Sequence, residues 1–91
     1  MGIASVSAFH LTVRLAEPFR EGVGEFLTVT DPAATIGELI PILERRVPNF
    51  VAESNELFNF AVNGELIVHG EKAVTLKSGD EVELLVAFAG G

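Results

Sequence analysis

Hydrophobic and polar residues alternate along most of this chain, and in one stretch they follow a helical spacing instead. Residues 9–15, FHLTVRL, put Phe9, Leu11, Val13 and Leu15 on one side and His10, Thr12 and Arg14 on the other. A period of two marks a strand with one buried face. Residues 57–64, LFNFAVNG, repeat the pattern, with Phe58, Phe60 and Val62 sharing a face. VELLVAF, over 82–88, sets Val82, Leu84 and Val86 against Glu83, Leu85 and Ala87. FLTVT, over 26–30, is short and β-branched and is expected to pair with the first strand as a hairpin. A further short strand is expected within ELIVHGEKAVTL, followed by irregular chain.

The helical stretch begins at Thr35. Ile36, Leu39, Ile40, Leu43 and Val47 fall on one stripe, while Glu44, Arg45 and Arg46 lie off it. Thr35 and Glu38 form an S/T-x-x-E capping box, in which each side chain satisfies a free backbone N–H. Pro48 ends the helix. Pro41 is the misfit: an interior proline removes a hydrogen bond at a cost of roughly 3 kcal/mol, so a local kink is expected between Gly37 and Pro41. AEPFREGVGE, with its proline and two glycines, is expected to be a loop, and NFVAESNE a polar connection. Asn63-Gly64 suits a type I′ hairpin turn, since both central residues there take positive φ. KSGDE is a second turn, tightest at Gly79. The element order is β-β-α-β-β-β, without repeats or a linker. It predicts a single α+β domain over residues 1–91, with one helix across one face of a mixed sheet. The expected core includes Leu11, Val13, Leu27, Leu39, Leu43, Phe60, Val62, Val82 and Leu84.

Composition narrows the chemistry. The 91 residues suit one small domain, and 48% hydrophobic residues suffice for its core. No run approaches the ~18 apolar residues of a membrane span, and MGIASVSAFH lacks the features of a signal peptide. A cytoplasmic protein that contacts no membrane is therefore expected. The absence of cysteine excludes disulfides, thiolate metal sites and a cysteine nucleophile. His10 and His69 are too far apart in sequence to make a metal constellation, so no metal is expected. The net charge is −7, and seven of the thirteen acidic residues lie between Glu53 and Glu83. Nucleic acid is not an expected ligand, because phosphate binding requires a basic surface. The charge either keeps the protein soluble or forms an acidic face for a basic partner.

The chain closes on AGG, residues 89–91. That ending, preceded in order by TIGELI (35–40), FAVNGELI (60–67) and LKSGDEVELL (76–85), resembles the MoaD/ThiS family of ubiquitin-like sulfur carriers. The likeness runs from about Leu11 to Gly91 and looks nearest to the small subunit of molybdopterin synthase. Two features depart from the family. LLVAF stands where members often carry proline before the tail, and Pro41 is foreign to the usual helix.

The resemblance implies a β-grasp fold and a carrier rather than an enzyme. A C-terminal carboxylate, with a pKa of about 3.3–3.7, is ionised near neutrality and is a poor electrophile. By the resemblance, an adenylating enzyme of the ubiquitin-activating type uses ATP to turn the Gly91 carboxylate into an acyl-adenylate. A persulfide donor's sulfur then displaces AMP and leaves a thiocarboxylate. The carrier delivers this sulfur to an accepting synthase and holds no cofactor of its own. Gly90 and Gly91 suit a narrow channel because neither has a Cβ. Residues 88–91 are expected to form a flexible functional tail. Leu85, Ala87, Phe88 and Ala89 are the candidate partner contacts. Leu85 is expected to be solvent-exposed on the face away from the helix, and Phe88 either meets a partner or packs back on the domain. The expected acceptor is a molybdopterin precursor, with the thiamin thiazole, a tRNA base and a cysteine precursor as alternatives. Conjugation of Gly91 to a lysine, as in a ubiquitin-like modifier, and a plain binding domain with an idle tail remain open.

Overall fold

The computed structural model describes residues 9–51 and 58–86. Five strands form one sheet: β1 (Leu11–Leu15), β2 (Phe26–Val29), β3 (Phe58–Val62), β4 (Glu65–Ile67) and β5 (Glu81–Val86). One α-helix among the described residues, α1 (Ile36–Arg46), follows β2. The spatial order is β2-β1-β5-β3-β4. The central pair, β1 and β5, is parallel, with Val13 opposite Val82 and Leu15 opposite Leu84. The β1–β2, β3–β5 and β3–β4 pairs are antiparallel. This mixed sheet with one covering helix is the expected β-grasp arrangement.

The core lies between α1 and the inner face of the sheet. Leu11, Val13, Leu15, Phe60, Val82 and Leu84 are fully buried from the sheet side, as are Ile36, Leu39 and Leu43 from the helix. Ile40, Ile42 and Val47 join them. Val62 is only partly buried, because it borders the exposed Asn63-Gly64 turn at the end of β3.

Helix α1 starts as its sequence dictates. The Thr35 hydroxyl accepts the Glu38 N–H at 3.2 Å. The Glu38 carboxylate accepts the Ala34 N–H at 2.8 Å, one residue before the usual recipient in a capping box. The start is also tied to the segment before β5. Ile36 N–H donates to the Val74 carbonyl at 3.0 Å, and Leu76 N–H to the Ala34 carbonyl at 2.9 Å. The helix runs unbroken through the exposed Pro41, so the expected kink does not interrupt it. Burial of the stripe on both sides of Pro41 offsets the lost hydrogen bond. Gly37 has a role that the sequence does not reveal. A Cβ there would lie 3.0 Å from the Lys72 carbonyl oxygen and 3.3 Å from the Lys72 Cβ. Glycine lets a short 3-10 helix, Glu71–Ala73, approach α1 closely.

Two stretches read as irregular contribute to the core. The loop after β1 contains a 3-10 helix, Glu17–Phe19, that buries Phe19. The connection after α1, read as polar, contains the fully buried Phe50. Phe19, Phe50, Phe58 and Phe60 form a chain of edge-to-face contacts, with ring centroids 5.9, 5.1 and 5.6 Å apart. The hairpin and the second turn follow expectation. Asn63 and Gly64 have φ of 51° and 85°, and Gly79 has 93°.

Candidate functional site

β5 is the last strand of the described residues. Hydrogen bonding to β1 on one side and β3 on the other holds it as the middle strand, and it ends at Val86, opposite Phe58. Of the candidate site residues, Ala87, Phe88, Ala89, Gly90 and Gly91 lie outside the described residues, as does the expected tail over 88–91. Leu85 lies within them. It faces away from α1 and pairs with Asn59 on β3. Leu85 is half-buried rather than open, because it forms one wall of a depression of about 130 Å³ whose other walls are Arg14, Leu15, Ala16, Arg20 and Glu83.

The register assembles the rest of this outer face. One cross-sheet row reads Phe26, Arg14, Glu83, Ala61, Leu66, from one edge strand to the other. Leu66 is 52% exposed and Phe26 55%, so each end of the row presents apolar surface to solvent. Val68, just past β4, is 66% exposed. Ala61 is buried although it faces away from the helix, shadowed by larger neighbours in the row. Strand alternation identifies such outer-face residues individually. Their gathering into one row depends on the sheet order.

Charge is concentrated at the middle of the row. Arg14 Nε donates to Glu25 Oε2 at 2.9 Å, and Arg14 Nη1 to Glu83 Oε2 at 3.3 Å. Glu25, and then Glu83, raise the Arg14 guanidinium pKa above its ordinary value. Arg20 is held differently: its Nε donates to the Leu15 carbonyl at 2.8 Å, and its Nη2 lies 3.8 Å from Glu25 Oε2.

A second polar cluster fixes the approach to β5. Asp80 accepts the Lys77 N–H at 2.8 Å and the Asn63 side-chain amide at 3.1 Å. Asn63 Oδ1 in turn accepts the Glu81 N–H at 2.9 Å. The Lys77 amide, and then Asn63, hold the Asp80 carboxyl below its ordinary pKa. These bonds clamp the β3–β4 turn to the start of β5, and so fix the strand that leads to the tail.

Among the described residues no polar or charged side chain is buried, and no group of three or more potential ligands could hold a metal ion. No helix among them is long and apolar enough to cross a membrane. The described part therefore presents an outer sheet face with exposed apolar ends and a strand held on both sides.

Comparisons with known proteins agree with this geometry. Among curated protein sequences none matches the chain. The solution structure of the HVO 2177 protein of Haloferax volcanii is 28% identical with a TM-score of 0.72, over 91% of this chain and 87% of that one. A chain from the complex of subunits 1 and 2 of the molybdopterin-converting factor of Helicobacter pylori is 27% identical, with a TM-score of 0.62, over 90% of this chain and 99% of that one. A chain of the Amycolatopsis orientalis BexX/CysO complex is 28% identical, with a TM-score of 0.61, over 89% of this chain and 99% of that one. The sequence profile of the ThiS family matches residues 13–91. The chain belongs to the ThiS family of ubiquitin-like sulfur carriers, small proteins that act together with partner enzymes.

Proposed function

We propose that the chain carries sulfur on the main-chain carboxyl of Gly91. The match of the family profile through residue 91 carries this reading, because it includes the closing glycines. In the first step a Gly91 carboxylate oxygen attacks the α-phosphorus of ATP, bound by an adenylating enzyme, and pyrophosphate leaves. In the second step the terminal sulfur of a persulfide donor attacks the acyl carbon, and AMP leaves. A second thiol on the donor then cleaves the S–S bond, leaving the donor as a disulfide and Gly91 as a thiocarboxylate. The protein supplies the acyl group and its presentation, and its partners supply the activation. Glycine at 90 and 91 allows close approach to the terminal carbonyl.

The outer face is the surface we assign to the partner enzymes. Leu66, Ala61 and Leu85 lie on the side that α1 leaves uncovered, and Leu85 is two residues before position 87. Exposed apolar residues of this kind suit a protein contact. Phe88 and Ala89 would extend that contact along the tail. The likeness to chains solved within two-protein complexes supports this assignment. The likeness to the molybdopterin-converting factor supports a molybdopterin precursor as the acceptor of the sulfur. A cytoplasmic setting, with ATP and the persulfide donor at hand, accompanies this reading.

The test is the intact mass of the protein isolated from its own host. The expected result is a species heavier by the difference between one sulfur and one oxygen atom, with the change located at Gly91. Branched peptides joining Gly91 to substrate lysines, without the sulfur-bearing species, would replace this reading with protein modification.

A further inference from the structure

Asn63-Gly64 is the one Asn-Gly pair in the chain. In such a pair the following main-chain nitrogen can attack the side-chain amide carbon, because glycine has no Cβ to hinder the approach. Burial does not shield this pair. Both residues are exposed, and a Cβ added at Gly64 would meet nothing within 4 Å, so water reaches the turn freely. The Asn63 side chain is nevertheless held at both of its polar atoms. Its Nδ2 donates to Asp80 Oδ1 at 3.1 Å, and its Oδ1 accepts the Glu81 N–H at 2.9 Å. The Asn63 N–H donates to the Glu81 carbonyl at 2.7 Å, which fixes the backbone that carries the side chain. Each amide atom faces a partner of the opposite kind, so the group cannot turn over without losing both bonds.

We propose that Asn63 is a latent deamidation site, and that its anchoring to Asp80 and Glu81 holds the reaction off in the folded protein. The reaction needs only water as co-reactant. The Gly64 nitrogen, its proton taken by hydroxide, attacks Asn63 Cγ. The Cγ–Nδ2 bond breaks, and that nitrogen takes a proton from water and leaves as ammonia. Water then adds across one C–N bond of the five-membered imide. Opening at Cγ gives aspartate, and opening at the main-chain carbonyl gives isoaspartate. To reach the reactive geometry the amide must rotate out of both hydrogen bonds, one of them to a carboxylate, so the folded clamp lowers the reactive population. The product cannot rebuild the clamp. An aspartate at position 63 has no N–H for Asp80 and sets two carboxylates against each other. An isoaspartate lengthens the main chain of the turn by one methylene. Either product releases the β3–β4 turn from the start of β5, and the change is irreversible.

The test is incubation of the full chain at mildly alkaline pH, both folded and unfolded in urea. Deamidation is read as the mass gained when OH replaces NH₂, and peptide mapping locates it and separates aspartate from isoaspartate. Asp80→Ala removes the acceptor of the amide. Thr35→Ala removes the α1 cap, leaves the clamp in place and serves as the control for lost stability. We expect folded wild type to deamidate at Asn63 at least about tenfold more slowly than the unfolded chain, and folded Asp80→Ala to react about tenfold faster than folded wild type. Thr35→Ala should stay within about twofold of wild type, and in urea all three should react alike. Asn63→Asp, which imitates one product, should unfold at lower urea than wild type. Adding Asp80→Asn to it restores an amide donor across the pair and should recover part of the loss. Folded Asp80→Ala reacting at the wild-type rate, or no faster than Thr35→Ala, would overturn the proposal. If Asp80→Ala does not fold, the other two comparisons still decide it. Folded wild type reacting as fast as the unfolded chain would overturn the protection, and an Asn63→Asp as stable as wild type would overturn the loss of the clamp in the product.

Discussion

Asp80 shows how a single side chain steadies the start of β5. Its two oxygens receive the Lys77 N–H and the Asn63 amide, so the ionised form is preferred in the folded protein. The folded pKa lies below the unfolded value of about 3.9. The resulting stability is complete above that value and is lost as pH falls from about 4 through the lower, folded pKa. Asp80→Asn keeps the shape but must turn an amide NH₂ toward one of the two donors. Urea unfolding should show wild type more stable than Asp80→Asn by a constant margin from pH 7 to about 5, and that margin should shrink below about pH 4. A margin unchanged down to pH 2 would contradict the role given to the carboxylate. Leu85 is informative at the same scale. Alternation places it opposite the core, but the long side chains beside it, Arg14 and Arg20, leave it half-buried.

Helix α1 illustrates what local pattern can and cannot convey. The Thr35 cap, the stripe from Ile36 to Val47 and the stop at Pro48 are written in consecutive residues, and the structure contains all three. Thr35→Ala should lower stability by about 1 kcal/mol, read as a shift of the urea midpoint without a change in slope. Gly37 is different, since nothing near it in sequence announces Lys72 as a neighbour. The contact forms only because the chain returns to α1 after β4. Gly37→Val would improve helix propensity slightly, yet it must push the Lys72 backbone aside, and overpacking of this kind costs about 1–3 kcal/mol. Thermal unfolding of Gly37→Val should therefore begin lower than in wild type; an equal or higher midpoint would show that the 3-10 helix gives way easily. Phe19 and Phe50 were illegible for a related reason. They sit in segments without periodicity; they pack edge-to-face on each other, and Phe50 packs in turn on Phe58 from a distant strand. β1 and β5 read clearly as strands, but their parallel pairing joins residues about 70 positions apart, so the row from Phe26 to Leu66 follows only from the assembled sheet.

At the scale of the whole molecule, one face of the sheet is committed to the core, and the other is the face proposed above for partner contact. Leu66→Asp tests that division. Leu66 is more than half exposed, so stability should move by no more than about 0.5 kcal/mol. On the proposed reading, the same change should raise the KM of the adenylating enzyme for the carrier, with little dependence on salt. Unfolding of Leu66→Asp would instead mean that the residue belongs to the domain. The central claim concerns Gly91, whose proposed role was legible only as a resemblance, because periodicity gives a glycine at that position no task. The most direct measurement is ATP–pyrophosphate exchange catalysed by the cognate adenylating enzyme, comparing the wild type with a chain extended by one alanine after Gly91. The extension converts the attacking carboxylate into a peptide bond and leaves every described contact in place. The account predicts exchange with the wild type and none with the extended chain, at equal thermal stability. Exchange by the extended chain at the wild-type rate, with no protease present to trim it, would contradict the claim that the Gly91 carboxylate is the group activated.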